Sequence, residues 1–258
     1  LKICVIGFAG LCIEALADER MASLRRVADL GIYGPLQYSG PASMWWLSMA
    51  ASQHTVQISA NHFHNPAADL IWSVIQRQGR VAVVCGLPTQ TPQLESYLQV
   101  PRPECDTPAD WSSKAPAEQW DSARKFFSET DWDYFQFLDS RFLSPEIFPL
   151  VDQQLGTLLD SIEADTILLL VSAPAAKLQQ APLADGMFVL ASPNCPLAGE
   201  FAGARLVDMM PTVLDLAGYP IPESMQGRSL VAGMEKRDGS GEDTEKLLRE
   251  RLSGLGYI

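Results

Sequence analysis

Ser43 closes the run Ser39-Gly40-Pro41-Ala42-Ser43, a helix start where free backbone N–H groups and the helix dipole favour an anion. A serine at that place serves either as an N-terminal cap or as the hydroxyl of an oxyanion or phosphate pocket. Asp139 stands two residues before Arg141 and has three readings: metal ligand, helix-entry residue, or ion-pair partner of that arginine. The chain has only three histidines, His54, His62 and His64, all in one short segment. His62 and His64 share one face of an extended segment and could share a metal, although two ligands alone make a weak site and a solvated pair is the simpler reading. Cys85 beside Gly86 is a candidate nucleophile, but no histidine or cation is assigned to it, so buried packing is expected. If Ser43, Asp139 and one histidine converge, the chemistry available is metal-independent attack on an ester, a phosphoester or a biosynthetic intermediate.

These side chains must be positioned by alternating strands and helices. Lys2 to Phe8 is a β-branched run ending near glycine, followed by a helical pattern over Ile13 to Leu30 with apolar Leu16, Leu24, Val27 and Leu30. Asn65-Pro66 opens a helical segment carrying Leu70, Ile71, Val74 and Ile75 and closed by Gly79, and Arg80 to Cys85 follows as a strand. Six prolines from Pro88 to Pro116 inclusive are too many for regular structure and predict a long excursion or a cap remnant. Ala117 to Thr130 reads as helix and Trp132 to Leu138 as strand. Ser144-Pro145-Glu146 begins a helix with Ile147, Val151, Leu155, Leu158, Leu159 and Ile162 on one stripe. Thr166 to Val171 is the unbroken apolar run of a central strand, Gly186 to Ala191 another strand, and Asp208 to Ala217 a helix ended by Gly218. The expected fold class is therefore α/β: one domain over residues 1–235, a three-layer sandwich of a mostly parallel sheet between helices, with residues 88–116 as its proline-rich loop. Residues 236–258 read as a polar, glycine-interrupted linker and a short terminal helix.

Composition narrows the partners. A net charge of −12 over 258 residues disfavours nucleic acid and anionic membranes, and the dense basic pair Arg25-Arg26 is expected on the solvent face of a helix. Five cysteines without C-x-x-C spacing predict buried thiols rather than a disulfide framework. No apolar stretch reaches the ~18 residues that span a bilayer, and no charged leader precedes the first strand, which predicts a cytoplasmic protein without membrane contact. Trp45, Trp46, Trp111, Trp120 and Trp132 are either an aromatic ligand pocket or core, with core the default.

Three blocks carry a family resemblance. The first runs from Val5-Ile6-Gly7-Phe8-Ala9-Gly10 through Trp46-Leu47-Ser48-Met49 to His54. The second joins Ile71-Trp72-Ser73-Val74-Ile75 and Gly79 to Pro88, then Trp132-Asp133, Val151-Asp152-Gln153-Gln154-Leu155-Gly156 and Ser172. The third is Asp208-Met209-Met210-Pro211-Thr212-Val213-Leu214 with Gly218, Pro220, Pro222, Met225, Gln226-Gly227-Arg228 and Leu255-Gly256-Tyr257. Together they resemble the type I phosphodiesterase/nucleotide pyrophosphatase branch of the alkaline phosphatase superfamily. That resemblance implies strand ends holding two divalent metals and a Ser or Thr nucleophile at a helix N-terminus. Carried over residue by residue, the first aspartate falls at Ala9 beside Gly10, and the nucleophile at Ala42 with Ser43 adjacent. Asp139 is kept but its histidine falls at Leu143; the Asp-His pair has become Ala173-Pro174, and the late histidine near Ala181 to Leu183 is absent. The resemblance also places Trp46 and Trp72 in the core and gives His54 a structural role. Hydrocarbon side chains cannot coordinate zinc or manganese, so the expectation is no metal and no cofactor. The resemblance, with its ligands lost, implies a pseudoenzyme of this family that binds a protein partner, a second copy of itself or an anionic small molecule around Ala9, Gly10, Ala42, Ser43, Ala173 and Pro174.

Overall fold

A computed structural model describes residues 1–40, 45–54, 69–86, 114–173 and 186–232. Its centre is an eight-stranded sheet in the order β3-β4-β1-β5-β6-β2-β7, with β8 also paired to β2. The strands are β1 Lys2–Ala9, β2 Ile32–Gln37, β3 Ala82–Cys85, β4 Tyr134–Phe142, β5 Thr166–Ala173, β6 Gly186–Ala191, β7 Gly199–Glu200 and β8 Ala204–Arg205. β6 runs antiparallel to both β5 and β2, and the other pairings are parallel, so the mostly parallel sheet inferred from sequence is present.

Successive side chains of β1 enter opposite cores. Ile3 and Val5 join Trp45, Trp46, Trp72, Met210 and Val213 on one face; Cys4, Ile6 and Phe8 join Trp120, Phe127, Phe135 and Val151 on the other. The first face is covered by α2 Trp45–Ala51, α3 Ile71–Arg77 and α6 Met209–Ala217; the second by α1 Ala22–Ala28, α4 Pro116–Glu129 and α5 Phe148–Leu159. Helices on both faces of a buried sheet give three layers, and every residue of β5 is buried. Of the six tryptophans, all but Trp111, which lies outside the described residues, are core.

Several local expectations change. The helix anticipated over residues 13–30 is a 3-10 turn, Ile13–Ala17, and then α1; the break is held by Asp18, whose carboxylate accepts the Arg20 N–H and guanidinium. α1 takes its N-terminal cap from α5, where Asp152 accepts the Ser23 and Leu24 N–H groups. Leu30 is 45% exposed rather than core. Arg25 and Arg26 are not a free basic face: Arg25 donates to the Leu16 and Asp18 carbonyls, and Arg26 pairs with Asp160. α3 begins after Leu70, and Asn65-Pro66, the helix start expected from sequence, lies outside the described residues. β4 extends four residues beyond the expected Leu138.

β2 has no counterpart among the expected strands, because Gly34-Pro35 interrupts its pattern. The outer neighbour is itself split there: β7 pairs with Ile32 and Tyr33, β8 with Leu36 and Gln37, so the missing Pro35 N–H falls at the gap. A side chain at Gly34 would collide with the Phe201 carbonyl oxygen, which accounts for the glycine. The stretch 87–113, most of the expected proline-rich excursion, and the expected tail from 236 lie outside the described residues, while Pro116 opens α4. Among the described residues, no helix is long and apolar enough to cross a membrane.

Candidate functional site at the carboxyl ends of the central strands

β1 lies between β4 and β5, and their carboxyl ends meet where Ala9 pairs with Ala173 on one side and Phe142 on the other. The backbone is laced across these ends. Leu143 N–H donates to the Ala9 carbonyl at 2.7 Å, Gly10 N–H to the Ala173 carbonyl at 3.1 Å, and Leu11 N–H to Ser172 Oγ at 2.9 Å. Gly10 turns the chain with φ of +93°, a left-handed conformation that favours glycine. The sheet thus brings Ala9, Gly10 and Ala173 together. Ala42, Ser43 and Pro174 lie outside the described residues, as do His62 and His64.

Among the described residues, the side chains facing this point are hydrocarbon. Gly7, two residues before Ala9, turns its empty side-chain position toward Trp45, Trp46 and Leu138; a Cβ there would lie 2.7 Å from Leu138 and 3.2 Å from Trp46. Strand alternation puts Ala9 on the same face, and Ala173 belongs to that core.

Asp139 is on the other face. Between the Gly7–Leu138 and Ala9–Phe142 pairs the register of β4 shifts, and the extra residues form an irregularity that re-aims the chain. The Asp139 carboxylate, 1% exposed, accepts the Arg141 backbone N–H at 3.1 Å, Arg141 Nε at 2.9 Å and Trp120 Nε1 at 2.7 Å, and Arg141 Nη2 also donates to it. Arg141 Nη2 reaches on to Gln154 Oε1 of α5 at 3.0 Å. Trp120 is fixed in turn by Phe8 and Phe137. An ionised carboxylate offers about four lone-pair directions. Those of Asp139 are taken by a guanidinium fork, a backbone amide and an indole. Of the readings open for this residue, the ion pair with Arg141 is the one the structure displays, and Asp139 sits in a strand rather than at a helix entry.

A two-metal centre does not fit these described strand ends. Methyl groups stand at Ala9 and Ala173, and the one candidate carboxylate is filled from the opposite face. Among the described residues, no three His, Cys, Asp or Glu side chains gather into a metal-binding cluster. His54 is exposed, and its backbone N–H donates to Gln226 Oε1 at 3.0 Å.

A second polar cluster, not anticipated from the sequence, bolts α2 to α6. Ser52, the one described non-glycine residue with positive φ, donates to the Val207 carbonyl at 2.6 Å and accepts the Gly227 N–H at 3.1 Å. Asp208, 1% exposed, accepts from Arg205 Nη2 at 2.7 Å and from the Arg228 N–H at 3.0 Å. Thr212 and Asp215 of α6 complete the clasp by binding Leu230 N–H and the Ser229 hydroxyl. The residue types of the third sequence block, Asp208, Thr212, Gly227 and Arg228, were the available signal, and they are structural.

The described cysteines are free thiols. Burial pushes the Cys4 thiol far above its ordinary value, and it raises those of the half-buried Cys12 and Cys195 as well. None of these three is poised as a thiolate. Cys4, with no exposed surface, is expected to stay unmodified by iodoacetamide in native protein and to react only after unfolding; site-resolved mass spectrometry reads both states.

No family model matches the chain by sequence, and neither does any curated protein. Solved structures do match in shape. A protein in the alkaline phosphatase superfamily from Vibrio parahaemolyticus superposes with a TM-score of 0.65 over 89% of this chain and 69% of its own, at 14% identity. The fold is alkaline phosphatase-like. Phosphonate monoester hydrolase from Silicibacter pomeroyi matches this alkaline phosphatase-like chain with a TM-score of 0.65, at 13% identity over 89% of this chain and 75% of its own. Human ectonucleotide pyrophosphatase/phosphodiesterase 5 matches with 0.63, at 10% identity over 86% of this chain and 96% of its own. Their names describe different chemistries, so the alkaline phosphatase-like frame by itself does not select one.

Proposed function

We propose that this chain is a non-catalytic protein of the phosphodiesterase/nucleotide pyrophosphatase branch, without two-metal phosphoryl hydrolysis, that binds a protein partner or an anionic small molecule at the former site. The observation that carries this reading is the state of Asp139. The only carboxylate that the family frame leaves at the strand ends is consumed by Arg141 and Trp120 and faces away from Ala9 and Ala173. A guanidinium here supplies the positive charge that a divalent ion would otherwise bring to that carboxylate.

The alternative, a hydrolase rebuilt from Ser43, Asp139 and a histidine, needs the Asp139 oxygens free to accept or orient a proton. Their hydrogen bonds to Arg141 and Trp120 disfavour it. The test is a turnover screen of the full chain with zinc, manganese or magnesium on a generic phosphodiester, phosphomonoester and sulfate ester. The expected result is no release above buffer; release that a chelator abolishes overturns the proposal.

A further inference from the structure

We draw no further inference here: the strongest candidate, the two buried donors Trp46 Nε1 and Gln136 Nε2 that lack an acceptor among the described residues in the core layer beneath the strand ends, carries nothing because both atoms are sealed inside that core and present no surface to a ligand.

Discussion

Asp139→Ala is expected to lower the unfolding free energy by about 3–5 kcal/mol in a urea titration, because it strands a partly buried guanidinium without its counter-charge. The Arg141 side chain is 18% exposed, too little for water to restore what the carboxylate supplies. The loss also leaves the Trp120 indole N–H without its acceptor inside an aromatic cluster. Asp139→Asn should be nearly as damaging, since its amide N–H groups would face donors. The double replacement Asp139→Leu with Arg141→Met removes both charges and should be milder than Asp139→Ala alone. A carboxylate kept free for catalysis would behave otherwise: its removal would leave stability unchanged or improved. Stability of Asp139→Ala equal to wild type would therefore contradict the ion-pair assignment.

Gly227→Ala should cost about 3 kcal/mol, a large effect for one methyl group. A Cβ at Gly227 would sit deep inside the van der Waals radius of the Val207 carbonyl oxygen and against Asp208 N, both backbone atoms that cannot rotate aside. The shift that relieves this clash also pulls on the Gly227 N–H bond to Ser52 and the Arg228 N–H bond to Asp208. Gly79→Ala is the matched comparison. Its φ is +71° but nothing lies near its Cβ position, so only the left-handed strain of about 1–2 kcal/mol applies. Similar midpoints for the two variants in one denaturant series would refute the clasp between α2 and α6.

Periodicity made much of this fold legible. β5 reads as a continuous apolar run because both its faces are covered, and α6 as a helix because Gly218 stops it in the left-handed conformation. β2 is hidden because Gly34 and Pro35 are breakers in isolation, tolerated only where the neighbouring edge divides into β7 and β8. α1 could not be bounded locally, since its cap, Asp152, is more than a hundred residues away. At the candidate site, the sequence exposes the hydrocarbon at Ala9 and Ala173 and offers Arg141 as a partner for Asp139. Which face Asp139 occupies was not legible: it depends on the irregularity in β4 and on Trp120 arriving from another element. The clasp around Asp208 and Ser52 was visible only as residue types, because its bonds close between distant segments.

Elemental analysis of the full chain, incubated with zinc or manganese and then desalted, asks whether the strand ends can hold metal at all. Well under one equivalent of either metal per chain is expected, because methyl groups and a filled carboxylate offer no coordination there. Two equivalents retained would contradict the proposal that this chain lacks a two-metal centre.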